Sequence, residues 1–274
     1  MSGQLSLDQA LARAKREAER GHFDEATKTL KAILKAAPGQ PQALQMLGMI
    51  ALEEGRNSME EALLRLSRLG LSPHRILDIG AYEGWWARLA RNIFPNAHIQ
   101  LFEAQYEKEA ALQTVVREIG NADLHMAVLG SDSGREVDFL IPETPYGTTG
   151  SSLYAERTDF KHKVRKVTIE CLDDLILEPE FFDLIKLDVQ GAEIDILKGA
   201  PRLLGKAQAV IAELSFLAYN QGAPLFAEVV RYLDEQGFQL LDFADLQRGK
   251  MGVLYQADAV FLRKGSALVP DKVW

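Results

Sequence analysis

The sequence predicts an α/β chain: a mostly parallel sheet that ends in an antiparallel hairpin and is preceded by a small all-helical segment. Three observations predict it. Short apolar runs bounded by turn residues recur after residue 75, as buried parallel strands do. Helical spacings of apolar residues lie between them. The last two strand-like runs, 238–243 and 257–263, follow one another without a clear helix between them.

The first 70 residues read as helices only. Ser6 is placed to cap a helix over 7–20, and Gly21 to end it. Phe23, Ala26, Leu30 and Ile33 give a second amphipathic helix, stopped at Pro38. Pro41 opens a third, with Leu44, Leu47, Gly48 and Ala51 on one apolar or small-residue face and Gly55 closing it. Ser72-Pro73 marks a boundary, giving a helical segment over 1–70 and a main domain over 71–274.

In Arg75-Ile76-Leu77-Asp78-Ile79-Gly80-Ala81-Tyr82-Glu83-Gly84-Trp85-Trp86, an apolar strand runs into a loop where two glycines permit tight turning and close approach of a ligand. A helix follows, with Trp85, Leu89 and Ile93 on one face, and Pro95 stops it. Such a strand–loop–helix unit puts free N–H groups and a positive dipole end at the strand's carboxyl edge. His98-Ile99-Gln100-Leu101-Phe102-Glu103 is a second strand. In a doubly wound sheet the acid at its end faces the same crevice and accepts hydrogen bonds from ribose hydroxyls. A helix over 107–119 and a third strand over 123–128 come next.

Between 130 and 172 the alternation breaks. Val137 to Ile141 and Val164 to Ile169 read as antiparallel strands flanking the polar loop Tyr146-Gly147-Thr148-Thr149-Gly150-Ser151-Ser152-Leu153-Tyr154. That loop reads equally as a lid or substrate wall and as a flexible hairpin connection. Residues 182–189 form the next strand, leading into Gln190-Gly191-Ala192-Glu193 and a short helix that buries Ile194 and Leu197 and ends at Gly199. Residues 209–214 form a buried strand that ends in an acid, and 225–235 a helix closed by Gly237.

Composition sets bounds. Lys+Arg 31 against Asp+Glu 39 leaves a net charge of −8, which argues against nucleic acid or a membrane surface as the main partner. Cys171 is the single cysteine, in a strand-like context, so no internal disulfide is available. No apolar run reaches the roughly 18 residues of a spanning helix. Met1-Ser2-Gly3-Gln4 lacks a signal-peptide pattern, so a cytoplasmic location is the expectation.

Three stretches together resemble the FkbM-type methyltransferase family: Leu77-Asp78-Ile79-Gly80-Ala81-Tyr82-Glu83-Gly84; Leu101-Phe102-Glu103-Ala104; and Ile185-Lys186-Leu187-Asp188-Val189-Gln190-Gly191-Ala192-Glu193 with Leu197-Lys198-Gly199-Ala200. The resemblance implies a Rossmann-like class I methyltransferase fold and S-adenosylmethionine as cofactor. It further implies O-methylation of a sugar, glycan or natural-product hydroxyl, with the acceptor itself not fixed by the motifs. It places Asp78, Gly80, Ala81 and Gly84 at the cofactor's methionine end and Glu103, with Ala104 beside it, at the ribose. Ala127 and Val128 border the adenine, and Asp188 lies beside the sulfonium and the acceptor. Gln190 stands where many relatives have Glu. The helical segment is similar to tetratricopeptide repeats: Gly21 and Gly55, like Ala14 and Gly48, are 34 residues apart. Fewer than two repeats do not stand alone, so the segment is expected to pack on the main domain or on a partner chain, or to serve a second copy as an oligomer contact.

An alcohol needs a base to take its proton. Asp188 is the first candidate for base or acceptor anchor, Glu213 the second, and Glu193 divides between catalysis and capping its helix. These acids are also hard ligands for a magnesium-like ion, but no His- or Cys-rich spacing supports a transition metal, and no metal site is assigned. His162 lies beyond the loop, where solvation is the commoner fate. A nicotinamide oxidoreductase is disfavoured by the terminal hairpin. A methyltransferase-like binding or scaffold protein without activity is the rival reading.

Overall fold

The computed structural model describes residues 6–54, 58–144, 148, 150–158, 160–177 and 180–270, with side chains except at 51–54 and 250. The chain opens with α1 (Leu7–Glu19), α2 (Phe23–Ala36), α3 (Pro41–Glu54) and α4 (Met59–Arg68). Ser6 and Gln9 cap α1 reciprocally: each accepts from the other's backbone N–H through its side chain. Pro41 is the first residue of α3, where its missing N–H costs nothing. Ser58 caps α4, a fourth helix that the sequence reading did not assign. Gly55, the expected stop of α3, lies outside the described residues.

The rest runs β1 (Arg75–Ile79), α5 (Trp85–Ile93), β2 (His98–Glu103), α6 (Glu109–Ile119), β3 (Ala122–Met126), β4 (Val128–Leu129), β5 (Glu136–Pro142), β6 (His162–Glu170), α7 (Leu172–Leu175), β7 (Leu184–Leu187), α8 (Glu193–Lys198), α9 (Pro201–Lys206), β8 (Ala209–Ser215), α10 (Phe226–Glu235), β9 (Phe238–Arg248) and β10 (Leu254–Arg263). Seven strands form one sheet in the order β3-β2-β1-β7-β8-β10-β9. The five on the β3 side are parallel, while β10 runs antiparallel to both β8 and β9. This is the class I methyltransferase fold, with the strand order reversing between β1 and β7. Open α/β sheets bind ligands at such a switch point, outside the strands' carboxyl ends.

Both sheet faces are covered, which is why β7 and β8 are buried along their whole length. Successive residues point to opposite faces. Ile76, Ile99, Ile211 and Val260 join a core with Leu63 and Leu66 of α4 and with Trp86 and Ala90 of α5. Leu77, Ile185 and Val210 join the other, with Leu197 of α8, Leu203 of α9 and Val229 of α10. Each aliphatic side chain so buried contributes about 1.5–3 kcal/mol. The helical prefix therefore packs on the main domain. Arg65 of α4 reaches β9, with its Nε 2.7 Å from Asp242 Oδ2.

Several expected details differ. Of the expected inner face of α5, Ile93 is buried and Leu89 packs partly buried on the core, but Trp85 is 64% exposed and Trp86 lies inside with Ala87 and Ala90. Val128 does not end the third strand. That strand stops at Met126, and β4 joins a separate three-stranded sheet in the order β4-β6-β5. The antiparallel pair expected within 130–172 is present as β5 and β6. β7 ends at Leu187 rather than Val189, and a 3-10 turn over Tyr106–Lys108 precedes α6. Cys171 is not a strand residue but the N-cap of α7. Among the described residues no helix is long and apolar enough to cross a membrane.

Candidate active site

A cavity of about 500 Å³ opens at the carboxyl edges of β1, β2, β7 and β8, within the range of small-molecule sites. Its walls include Gly80, Glu103, Ala104, Ala127, Val128, Asp188 and Glu213. The strand ends expected to converge thus share one cleft. Asp78, Ala81, Gly84 and Glu193 lie outside that lining. Gly84 serves helix packing: it caps α5 in the left-handed region, and a Cβ there would come within 2.7 Å of Val115 on α6. Ala81 is buried in the core below.

The turn after β1 is held by its neighbours. Gly80 and Ala81 donate their N–H groups to the Phe102 carbonyl at 2.9 and 3.1 Å, and Asp188 donates to the Ile79 carbonyl at 3.0 Å. Gly80 has φ +78° and faces the Asp188 carbonyl so closely that a side chain does not fit. Glu103 is buried and takes three backbone N–H bonds: Tyr82 at 2.7 Å on Oε2, and Ala104 and Gln105 at 3.0 and 2.8 Å on Oε1. Burial raises its pKa, with these bonds opposing. A carboxylate has about four acceptor positions, so Oε2 keeps room for a ligand hydroxyl.

At the other end the chemistry is ionic. Asp78 is fully buried, and Lys186 Nζ lies 3.4 Å from its Oδ1 and 3.4 Å from Asp188 Oδ2. The same ammonium donates to the Gly80 carbonyl at 3.2 Å. Burial alone lowers the Lys186 pKa, but Asp188, Asp78 and Asp258 outweigh it and hold the ammonium charged well above the usual lysine range. Asp78 thus serves the lysine rather than the cavity.

Beyond Asp188, Gln190 donates through Nε2 to Asp188 Oδ1 and to Glu213 Oε2, and accepts from the Tyr219 hydroxyl at 2.6 Å through Oε1. Gln256 donates to Glu213 Oε2 at 3.0 Å. Glu213 is raised well above the ordinary carboxyl range by burial first, then by Asp188, Asp258 and Glu193. Asp258, its register partner on β10, is raised to about 7 by burial and Asp188. Glu193 is buried, accepts from Gly191 N–H at 3.1 Å, and is raised to about 7, chiefly by burial. It lies at the start of α8 behind the wall, where Ala192 is the N-cap and no side chain caps the helix. No group of three or more His, Cys, Asp or Glu among the described residues is arranged to hold a metal ion.

The insertion closes the cleft. Gly150, Ser151, Ser152, Leu153 and Glu156 line it, while Tyr146, Gly147 and Thr149 of the same loop lie outside the described residues. Ser152 donates its hydroxyl to the Gln190 carbonyl at 2.8 Å, which Asn220 also meets at 3.0 Å. Arg157 N–H bonds the Tyr219 carbonyl and Gln221 N–H the Ala155 carbonyl. The loop is a wall. His162 starts β6 and is not part of the lining. Among the described residues the lining holds the carboxyl groups of Glu103, Glu156, Asp188 and Glu213 and no Lys or Arg.

Sequence reasoning missed Lys186, Tyr219, Gln256 and Asp258 as members of this site. The lysine had a signal: it interrupts an otherwise apolar buried strand, where an unpaired charge is not tolerated. Tyr219 and Gln256 had none, being ordinary polar residues brought in by the β8 loop and by β10.

Comparison with known families matches residues 78–240 to the methyltransferase FkbM domain. No curated protein matches the sequence. Solved structures similar to the chain include precorrin-6y C5,15-methyltransferase from Geobacter metallireducens GS-15, at 15% identity over 75% of this chain and 89% of that one, TM-score 0.43. Magnesium protoporphyrin IX methyltransferase from Synechocystis PCC 6803, with bound SAM, is similar at 14% identity over 81% and 83%, TM-score 0.42.

Proposed function

The chain belongs to the FkbM methyltransferase family, and from that premise we propose that it moves the methyl group of its cofactor, S-adenosylmethionine, to a hydroxyl of a sugar, glycan or natural-product acceptor. That it is an S-adenosylmethionine-dependent methyltransferase follows from the family; the hydroxyl acceptor is the proposal. One observation carries it. The cavity ends in a wall of Asp188, Gln190, Glu213, Tyr219 and Gln256, donors and acceptors suited to a polyhydroxyl compound.

In this reading Gly80 borders the methionine end, Glu103 holds the ribose through the free side of Oε2, and Ala127 and Val128 flank the adenine. Asp188, at the mouth with its side chain 40% exposed, takes the acceptor's proton as the C–S bond breaks and the C–O bond forms. Glu213 anchors the acceptor through the Gln190 bridge. The sulfonium is already a good leaving group, so alignment does most of the work and can supply about 7–11 kcal/mol. The carboxylate lining suits a cationic cofactor. The division into a helical segment at 1–70 and a catalytic domain at 71–274 belongs to the same proposal, as does the likeness of α1–α3 to tetratricopeptide repeats and their use as a contact for a partner chain or a second copy.

Methyl-labelled S-adenosylmethionine incubated with a panel of glycans and hydroxylated small molecules tests the reading. Asp188→Asn is expected to lose about 10²–10⁴-fold in turnover, while retaining S-adenosylhomocysteine binding. Cofactor binding with no methyl transfer to any acceptor would favour the inactive binding protein instead.

A further inference from the structure

Lys186 is a buried cation that the proposed chemistry does not use directly. It sits on β7 between Ile185 and Leu187, shared by two carboxylates that face different ways. Asp78 lies behind the cavity, fully buried, with neither oxygen accepting a hydrogen bond among the described residues, so the ammonium is its counter-charge. Asp188 lies on the wall. The bond from Lys186 to the Gly80 carbonyl ties the same ammonium to the turn after β1, beside the end of β7. Asp78, Lys186 and Asp188 together leave one net negative charge at this corner.

Methyl transfer changes the charge that corner faces. The methyl–sulfur bond breaks with its electron pair going to sulfur, the methyl–oxygen bond forms, and the acceptor's proton passes to the base. The sulfonium cation becomes a neutral thioether. Attraction between wall carboxylates and the sulfonium is therefore strongest before transfer and absent after it. Stabilisation that is stronger in the ground state than in the transition state slows a reaction. Asp188 sits on a lining with no lysine or arginine among the described residues and invites that cost, and the nearest relief is the lysine one layer back.

We propose that Lys186 is a positioning residue that holds the Asp188 carboxylate at the cavity wall and limits the negative charge facing the sulfonium, so that it sets the preference between S-adenosylmethionine and S-adenosylhomocysteine. The inference rests on the placement of the sulfonium beside Asp188 given above.

Isothermal titration with each of the two compounds measures the ratio of their dissociation constants without any acceptor. An Asp78→Asn background removes the fully buried carboxylate that the lysine pairs, so that taking away Lys186 does not strand it. There Lys186→Met is expected to shift the ratio at least about tenfold toward S-adenosylmethionine relative to Asp78→Asn alone, the scale of one unit charge roughly 12 Å away at an effective dielectric of about 20. Lys186→Arg in the native background should stay within about twofold on the same scale, because the charge is kept. Asp188→Asn should shift the ratio the opposite way. A ratio in the double variant equal to that of Asp78→Asn alone, in a protein that still melts cooperatively, overturns the inference, as does equal weakening of both compounds; the lysine is then a structural counter-ion. Should the double variant fail to fold, Asp78→Asn alone decides: it removes one carboxylate and must shift the ratio about tenfold toward S-adenosylhomocysteine, and no shift overturns the inference. A native chain that binds neither compound would instead remove the cofactor placement, a distinct outcome.

Discussion

The backbone carbonyl of Asp188 fills the space that a side chain on Gly80 would need, so the carboxyl ends of β1 and β7 touch through backbone alone. Gly80 also sits at φ +78°, a region other residues enter at a cost. Gly80→Ala therefore meets strain and a clash together. It should destabilise the fold by about 2–4 kcal/mol, read as a lower urea midpoint at unchanged slope. S-adenosylmethionine affinity should fall at least about tenfold, since the turn is forced away from β7. Full stability and affinity in this variant would mean the two strand ends are farther apart.

Glu103 separates two roles by substitution. Glu103→Ala leaves the N–H groups of Tyr82, Ala104 and Gln105 without their acceptor and is expected to cost about 2–4 kcal/mol in denaturant melts. Glu103→Gln keeps an acceptor oxygen and should recover much of that stability. Its cofactor affinity should still drop about tenfold or more, because the charge-assisted bond to a ribose hydroxyl is gone. Calorimetry on Glu103→Gln at native-like stability checks the ribose assignment directly.

The buried acids give the fold a signed pH dependence. Glu193 and Asp258 are each raised to about 7, so between about pH 4.5 and 7 the folded state holds protons that the unfolded state has released. Their contribution is complete below the unfolded pKa and is lost as pH rises through 7. Stability should therefore fall over that window, by up to about 1.4 kcal/mol per pH unit for each group while it alone is protonated. Lowered acids such as Glu17, Glu107 and Glu118 act in the opposite sense, but only below about pH 4.5. Thermal midpoints from pH 5 to 8 check this. Asp258→Asn should flatten the decline, and a midpoint that rises with pH over that range would refute the assignment.

The helical prefix shares its core with the sheet through Leu63 and Leu66, which pack with Ile76, Ile99, Ile211 and Val260. A chain that starts at residue 71 should lose cooperative melting and bind hydrophobic dye. Removing only residues 1–37, which takes away α1 and α2 but keeps α4, should leave a cooperative transition. If residues 71–274 melt as sharply as the whole chain, the prefix is an independent appendage.

The sheet was legible because its strands are buried on both faces: runs such as Ile76-Leu77 and Ala209-Val210-Ile211 have no polar phase to confuse with a helix. Gly80, Glu103 and Asp188 were legible for the same reason, since each follows or ends such a run. The place of the tryptophans on α5 was not, because two adjacent apolar residues at a helix start do not say which faces inward, and Trp86 rather than Trp85 is inside. The break between β3 and β4 falls at Ala127, with no glycine or proline to announce it. The charge pairing of Lys186 depends on β1 and β7 being neighbours in space, 108 residues apart for Lys186 and Asp78, and pattern along one strand does not carry that.

The Gln190 carbonyl receives both Ser152 and Asn220, so three segments far apart in the chain are riveted through one oxygen atom. None of them can be redesigned alone: a graft of the 150–158 segment from another enzyme would leave that rivet open and let the 219–221 loop drift with it. Retargeting this enzyme to a new acceptor means exchanging all three pieces as one plate.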